Sequence, residues 1–369
     1  MLFIHGITEL GGAEQELLLY LEHLPRDVYT AVLACPGGGL LTERAGKLGI
    51  TQRSVNLPSW RKTGSLLRRW SAVRELRSVI EKEQPDLIHV NDIWWVPQTL
   101  RAAAGFEVPV VAHVRQEIEM PKVHRYELGR PDLVLAISSQ VRKSLVAAGV
   151  VPERLVTLYS GLDLVKLQDC ADVRGCRQQL GISDEALVLG TVANLFPRKG
   201  YEVMLEALPA IRSSCPKAEY VIVGTGDSKF EQRLQTAVRE RGLERAVHFL
   251  GFQESVYPCL AAMDLYVHPA LMEGFGIAVL EAMALRKAVV ASRTGGIPEI
   301  VREGETGLLV PPGEAGALAQ AVTTLLNDSA RRIRMGLAGR VRIESAFSVD
   351  IMMNGLASAY DRLSSHLAH

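Results

Sequence analysis

Short runs rich in β-branched residues alternate with amphipathic stretches along most of this 369-residue chain. Each run is followed by a turn marked by Gly or Pro, and usually by a stretch with helical period. This alternation is typical of βαβ units, which build parallel sheets with helices on both faces. We therefore predict an α/β fold made of doubly wound parallel sheets. The predicted strands are 2–5, 28–35, 86–90, 108–114, 133–137, 186–193, 220–223, 247–250, 265–268, 288–291 and 308–310.

A polar stretch at 163–184, which lacks strand character, separates two series of such units. The length of the chain also predicts about two domains. We expect two Rossmann-like domains, 1–165 and 166–347, that face each other across a crevice. Parallel sheets bind ligands at the carboxyl ends of their strands, so we expect a ligand in that crevice.

The composition argues against several classes of protein. Positive and negative charges balance, with 41 Lys and Arg residues against 41 Asp and Glu residues, which disfavours a dedicated nucleic-acid binder. No apolar run approaches the roughly 18–20 residues that span a bilayer, and the first residues do not resemble a secretory signal. We expect a cytoplasmic protein with reduced thiols, because its five cysteines are scattered and none forms a C-x-x-C pair. They are Cys35, Cys170, Cys176, Cys215 and Cys259.

The segment from Arg53 to Arg77 is strongly basic and interleaved with Trp and Leu. A helix of this composition is typical of a membrane-surface helix, which predicts peripheral contact with an anionic membrane. The competing interpretation, which we favour, is an ordinary helix that packs its apolar face on the sheet and leaves its arginines in solvent. The seven basic residues are Arg53, Arg61, Lys62, Arg68, Arg69, Arg74 and Arg77, against one acid, Glu75.

A strand, a glycine-rich loop and a helix follow one another within residues 264–284. The loop carries Glu273 and the helix carries Glu281. Amides at the helix start, around Gly276, suit a phosphate or diphosphate, since a helix N-terminus attracts anions. Carboxylates are good acceptors for sugar hydroxyls, so the combination suggests a nucleotide sugar. Spacing alone does not reject the alternative of an ordinary loop glutamate and a surface helix glutamate.

The segment EGFGIAVLE at 273–281 resembles the E-x7-E signature of retaining glycosyltransferases of family 4, which have the GT-B fold. Further segments occur in the order found in that family, so the similarity covers nearly the whole chain. The resemblance implies an acceptor domain followed by a donor domain, and a C-terminal helix at about 348–369 that can pack back on the first. The similar segments are GGAEQ at 11–15, PDLIHVND at 85–92, PVVAHVR at 109–115, LYSGLDL at 158–164, NLFPRKG at 194–200, VGTGD at 223–227, FLGF at 249–252, GGIPEIV at 295–301 and TGLLVPPGE at 306–314.

The resemblance also implies roles for individual residues. Lys199 neutralises the departing diphosphate, Glu273 contacts the hexose beside the reacting carbon, and His113 lies near the hexose and the acceptor. Glu281 binds the ribose hydroxyls. The other implied donor contacts are Gly12, Asn194, Arg198, Gly224, Phe252, Gln253, Gly274, Phe275, Gly276 and Ile277.

No metal and no cofactor are expected, because members with this fold typically need no metal and the chain has no Asp-x-Asp pair. Two features depart from the family pattern. Many members have Arg five residues before the lysine, where this chain has Asn194, and the adjacent Arg198 is the candidate that compensates. The first predicted strand begins almost at Met1, so either that strand is short or the natural start lies upstream.

Three histidines receive no catalytic role. We interpret His268 as a packing residue, leave His5 unassigned, and expect His89 to be either structural or at the edge of the crevice.

The leading interpretation is retaining transfer of a hexose-type sugar from a UDP- or GDP-sugar to a glycan, a lipid-linked or a small-molecule acceptor, as in cell-envelope polysaccharide synthesis. Two alternatives stay open: a sugar-nucleotide epimerase of the same fold, and an inactive homologue that binds a nucleotide sugar. Neither the base and sugar of the donor nor the identity of the acceptor follows from the residues.

Overall fold

The chain forms two compact units in a computed structural model that describes residues 1–60, 66–167, 177–178 and 181–366. The first unit combines Met1–Gly161 with Val349–His369, and the second is Leu162–Ser348. Several residues discussed above lie outside the described residues: Arg61, Lys62, Cys170, Cys176 and part of the predicted linker, 168–176 and 179–180. Cys35, Cys215 and Cys259 are buried.

The first unit contains a seven-stranded sheet in which all paired strands run parallel. Its strands are β1 (Leu2–Ile4), β2 (Val32–Cys35), β3 (Thr51–Ser54), β4 (Ile88–Val90), β5 (Val110–Val114), β6 (Leu133–Ala136) and β7 (Leu155–Thr157). They lie in the order β3-β2-β1-β4-β5-β6-β7.

The second unit contains a six-stranded parallel sheet. Its strands are β8 (Leu187–Val192), β9 (Ala218–Val223), β10 (Val247–Gly251), β11 (Leu265–His268), β12 (Ala288–Ser292) and β13 (Gly307–Val310), in the order β10-β9-β8-β11-β12-β13. In both sheets the chain winds from a central strand to one edge and then resumes on the other side of that strand. The switch points therefore lie between β1 and β4 and between β8 and β11, where doubly wound sheets bind ligands.

Helices connect the strands of each sheet. The first unit has α1 (Gly12–His23), α2 (Leu40–Lys47), α3 (Leu66–Glu83), α4 (Val96–Ala102), α5 (Met120–Arg125) and α6 (Ser139–Ala147). The second has α7 (Tyr201–Ser214), α8 (Ser228–Glu240), α9 (Tyr257–Ala262), α10 (Ile277–Ala284), α11 (Ile297–Ile300), α12 (Ala315–Asn327) and α13 (Ser329–Ala346). The last helix, α14 (Val349–His366), belongs to the first unit, where Met352, Leu356 and Tyr360 join the core that contains Tyr20 and Val111.

The predicted α/β class with doubly wound parallel sheets is confirmed, but the sequence pattern misses β3 and β7. The residues of β3 (TQRS) are polar and at least partly exposed at the sheet edge, so they form no apolar run. Strand β7 has only three residues at the opposite edge. No helix within the described residues combines the length and apolar character needed to cross a membrane.

Two helical glycines in the second unit allow a test of its packing. A Cβ atom at Gly336 in α13 would lie 2.0 Å from the carbonyl oxygen of Arg286, whereas a Cβ at Gly316 in α12 would meet nothing within 4 Å. We expect Gly336→Ala to lower the free energy of unfolding by about 1–3 kcal/mol through overpacking. Gly316→Ala should raise it by roughly 0.4–1 kcal/mol, because alanine loses less entropy on folding. Urea unfolding midpoints check both, and a stabilised Gly336→Ala variant would contradict the close contact.

Candidate active site

Two segments that are distant in sequence meet at the switch point of the second sheet. Residues 193–199 follow β8 and end in a short 3-10 helix, Pro197–Lys199. Residues 269–276 follow β11 and lead into α10. The amides of Leu271 and Met272 donate to the carbonyl oxygen of Arg198 at 2.8 and 3.2 Å, which ties the two segments together.

Three polar side chains form a buried network there. Lys199 Nζ lies 2.6 Å from Glu273 Oε2, and His268 Nε2 lies 2.8 Å from the same oxygen. The backbone amide of Gly274 donates to Glu273 Oε1 at 3.0 Å. The side chains of Lys199 and Glu273 are only 12% and 10% exposed. The structure therefore brings together two of the three predicted catalytic residues, and both oxygens of Glu273 accept hydrogen bonds.

His268 is not only a packing residue, which corrects our expectation. Burial lowers its pKa, although the hydrogen bond to Glu273 works in the opposite direction. The neutral ring is therefore assigned with its proton on Nε2, where it donates to the carboxylate. Its position at the carboxyl end of β11, five residues before Glu273, is the sequence signal that could have identified it.

The charge of Glu273 is fixed by its partners. Burial alone would raise the pKa of Glu273, but the hydrogen bond from His268 and the charge of Lys199 outweigh burial and hold the pKa well below its usual range. The group is therefore a carboxylate at all physiological pH values.

Glu281 has the opposite environment. Its side chain lies within α10 at 8% exposure, and its carboxyl group accepts no hydrogen bond from any residue that the structure describes. Burial raises the pKa of Glu281 to about 8. At neutral pH this carboxyl group is largely protonated, while Glu273, eight residues earlier, is ionised.

The backbone around Glu273 depends on two glycines. Gly295, with φ +53°, follows β12, and a Cβ atom there would lie 1.7 Å from the carbonyl oxygen of Glu273. Gly276 caps the start of α10 in a left-handed conformation, with φ +112°. A side chain at either position would displace the loop. The amide of Val279 donates to the carbonyl oxygen of Gly276 at 2.9 Å, whereas the amides of Ile277 and Ala278 precede the first bond within the helix and remain able to bind an anion.

The other predicted donor-binding residues of the second unit follow its strands at the same edge. Gly224 follows β9, and Phe252, 55% exposed, follows β10. The side chain of Gln253 donates to the carbonyl oxygen of Leu250 at 2.8 Å, which leaves its backbone as the available contact. Asn194 and Arg198 are exposed, and the guanidinium of Arg198 pairs with no described residue. The further positions are Gly274, Phe275 and Ile277, at the start of α10.

Two predicted residues, Gly12 and His113, lie in the first unit. Gly12 is the first residue of α1. His113 is a fully buried residue of β5. Its Nδ1 accepts from the guanidinium of Arg115 at 3.2 Å, and burial lowers its pKa well below the ordinary value. His113 is therefore neutral, and its implied contact with hexose and acceptor stays a prediction.

Both parts of the chain match models of known glycosyltransferase families. Residues 10–166 match the profile "Glycosyltransferase Family 4", and residues 173–342 match "Glycosyl transferases group 1". A D-inositol 3-phosphate glycosyltransferase of Corynebacterium glutamicum is 30% identical over 284 residues, which cover 69% of this chain and 67% of that protein. The chain belongs to glycosyltransferase family 4.

Other known proteins resemble this chain over differing lengths. A GDP-mannose-dependent monoacylated alpha-(1-6)-phosphatidylinositol monomannoside mannosyltransferase of Corynebacterium glutamicum is 34% identical over 206 residues, or 53% of each chain. The match thus spans about half of that relative's length. Anabaena HepE, whose structure was solved with UDP and glucose, has a TM-score of 0.86 at 25% identity, with 98% of both chains covered. These similarities confirm the GT-B fold that the resemblance implies.

The raised pKa of Glu281 predicts a pH-dependent effect of Glu281→Gln. The pKa of Glu281 is about 8 in the folded state and about 4.3 in the unfolded state, so the folded protein binds this proton more tightly. The stabilisation by the bound proton is complete below the unfolded pKa. It is lost as the pH rises through about 8. Glutamine stays neutral, so we expect Glu281→Gln to raise Tm relative to wild type far more at pH 9 than at pH 5.

The matched control is Glu240→Gln, at an exposed position in the last turn of α8. Its Tm difference from wild type should be similar at both pH values. A Tm difference for Glu281→Gln that is also independent of pH would contradict the buried, unpaired state of the carboxyl group.

Proposed function

We propose that this chain is a retaining glycosyltransferase that moves a hexose from a UDP- or GDP-sugar to a glycan, lipid-linked or small-molecule acceptor without a metal ion. The observation that carries the proposal is the network of Lys199, Glu273 and His268 beside the start of α10. It combines a cation, a permanently ionised carboxylate and unpaired helix amides at one switch point. A nucleotide sugar needs this combination, because it joins a dianionic leaving group to a neutral polyol.

Charge development in the reaction explains the roles that we propose. The bond between the anomeric carbon and the diphosphate oxygen breaks, and negative charge accumulates on the leaving group. Lys199 and the amides at the start of α10 stabilise that charge. Arg198 supplies a second cation, since its exposed guanidinium pairs with no described residue and stands four positions after Asn194.

Glu273 binds hydroxyl groups of the hexose and is not the nucleophile. Both of its oxygens already accept hydrogen bonds from Lys199, His268 and Gly274, which lowers their reactivity toward carbon. Retention then follows from attack by the acceptor hydroxyl on the face that the diphosphate leaves. The bond from the acceptor oxygen to the anomeric carbon forms, and the hydroxyl proton passes to the departing phosphate oxygen.

Glu281 binds the ribose hydroxyls of the donor in this proposal. A buried carboxyl group without a protein partner is suited to this task, because two adjacent hydroxyls supply the hydrogen bonds that the protein does not. Phe252 and the backbone of Gln253 hold the base, at the end of β10. The relatives support the donor class, since one is described as GDP-mannose-dependent and another was solved with UDP and glucose.

The proposed activity predicts that nucleoside diphosphate is released only when an acceptor is present. Wild-type protein with UDP-glucose or GDP-mannose is the test: release that does not depend on acceptor would favour the epimerase, and no release at all would favour the inactive homologue. Lys199→Ala should lower kcat by roughly 100- to 1000-fold, because its interaction strengthens as charge develops.

Donor affinity, measured by calorimetry, should fall much less in Lys199→Ala than kcat does. The control is Lys217→Ala, which removes an exposed ion pair with Glu185 and should leave both quantities unchanged. An unchanged kcat in Lys199→Ala, with the whole loss in donor binding, would refute the proposed role of Lys199.

Contact of α3 with anionic membranes is the less favoured interpretation of the basic segment, and its basic surface is smaller than the sequence suggests. Three of the seven basic residues are engaged within the first unit. Arg53 pairs with Glu83 at 2.6 Å, Arg69 stacks on Trp60, and Arg77 stacks on Phe106. Among the described residues of α3, the exposed ones include Arg68, Trp70, which is 67% exposed, and Arg74, together with the acid Glu75.

Vesicle flotation tests this contact. If α3 contacts membranes, wild-type protein binds anionic vesicles more strongly than neutral ones, and salt weakens the binding. Reversing two charges with Arg68→Glu and Arg74→Glu should largely abolish it, since each basic residue contributes about 1 kcal/mol near anionic lipid. The double variant Arg239→Glu/Arg241→Glu changes two exposed arginines of the second unit and serves as control. Equal wild-type binding to both vesicle types would make α3 an ordinary surface helix.

A further inference from the structure

The switch point of the first sheet carries a second polar cluster that the proposed donor site does not use. His5 directly follows β1, Asn91 and Asp92 follow β4, and Arg115 follows β5. The order of strands around this point is the same as around the Lys199–Glu273 network in the second sheet. Because doubly wound sheets bind ligands at their switch points, a ligand is expected at this edge of the first sheet as well.

Most of this cluster is buried and satisfied within the protein. His5 Nε2 lies 2.6 Å from Glu14 Oε1, and Asn91 Nδ2 lies 3.3 Å from His5 Nδ1. Arg115 donates to the side-chain oxygen of Asn91 at 2.7 Å and also pairs with Glu16. These bonds fix the ends of β1, β4 and β5 relative to one another.

Asp92 differs from its neighbours. It is only partly buried, whereas Glu14 and Glu16 are buried. Its Oδ1 accepts from the amide of Ile93 at 2.6 Å, which fixes the orientation of the carboxyl group. The second oxygen accepts no hydrogen bond from any residue in the described part of the chain. Trp94, two residues further on, is a partly exposed aromatic ring that packs edge-on against Tyr126.

We propose that Asp92 accepts a hydrogen bond from a hydroxyl group of the acceptor, and that the acceptor presents a polyol at this position. This inference rests on the proposed glycosyl transfer and names a residue for its second substrate. A carboxylate with one oxygen anchored and the other open is suited to orient a hydroxyl, and a neighbouring aromatic face suits the apolar face of a sugar ring. The proton of the attacking hydroxyl still passes to the departing phosphate, so Asp92 orients the acceptor without becoming protonated.

The charges around Asp92 set the pH range in which it can act. Burial raises the pKa of Asp92 to about 6, while Arg115 and His5 work against this shift and Glu14 adds to it. The carboxylate form therefore prevails at neutral pH and is lost below about pH 6. Acceptor use should fall in that range, whereas donor binding should not follow this titration.

Asp92→Asn tests the assignment, because asparagine keeps the shape of the side chain and can still accept from the Ile93 amide. The control is Asp86→Asn, an exposed aspartate just before the amino end of the same strand. Transfer is measured from UDP-glucose and GDP-mannose to D-inositol 3-phosphate, phosphatidylinositol micelles and methyl α-mannoside. We expect kcat/KM for the acceptor to fall about tenfold to hundredfold in Asp92→Asn, with donor affinity unchanged and Tm not lowered.

Wild type should also lose acceptor kcat/KM below about pH 6, and Asp92→Asn should lack this acid limb, which a purely structural role would not remove. If wild type and Asp92→Asn transfer sugar with the same acceptor kcat/KM, the proposed role of Asp92 is overturned and the proposed function is not. If Asp92→Asn does not fold, the pH profile of wild type is the test. A wild-type acceptor kcat/KM that does not fall below about pH 6 rejects the assignment. No transfer by wild type to any of the acceptors would overturn the proposed function and this inference together.

Discussion

Polar chemistry in this chain concentrates at the carboxyl ends of parallel strands, because a doubly wound sheet leaves an uncovered crevice only at its switch point. Both sheets obey this constraint with the same winding order. In the second sheet it joins Lys199 to Glu273, which are 74 residues apart in the chain. In the first it joins His5, Asn91 and Arg115, which come from three separate strand ends. The apolar strands beneath these residues provide the rigid support that such geometry needs.

The two glutamates of the second unit show how environment gives one residue type two different charge states. Glu273 has a cation and a histidine as partners and stays ionised, whereas Glu281 has no partner among the described residues and is largely protonated near neutral pH. An ionised group is suited to hold hydroxyls next to a reacting centre without a pH dependence. A group with a pKa near 8 changes its charge within the range around neutral pH. Divergent pKa values of neighbouring carboxyl groups are a frequent mark of a functional site.

The first unit uses its charges differently. Arg115, Glu16 and His5 are turned inward and satisfied, so they stabilise the strand ends more than they offer contacts. His113 belongs to the same interior, because its Nδ1 accepts from Arg115 and its ring is fully buried. Asp92 is the member of this group whose carboxylate still reaches the surface. The surrounding charge pairs hold this part of the first unit rigid, and the proposed contact between Asp92 and the acceptor depends on that rigidity.

The sequence by itself determined the α/β class, because β-branched runs and helical periods are local properties of the chain. It also determined the E-x7-E segment and its family, since spacing within one loop and helix depends on few residues. Tertiary structure alone decided that His268 joins Glu273, that Glu281 is buried without a partner in the described part of the chain, and that Arg53, Arg69 and Arg77 are engaged within the first unit. It also decided that the polar edge strand β3 belongs to a sheet and that α14 packs on the first unit after an intervening domain. These features depend on contacts between residues far apart in the chain, and burial and pairing are properties of those contacts, not of any residue taken singly.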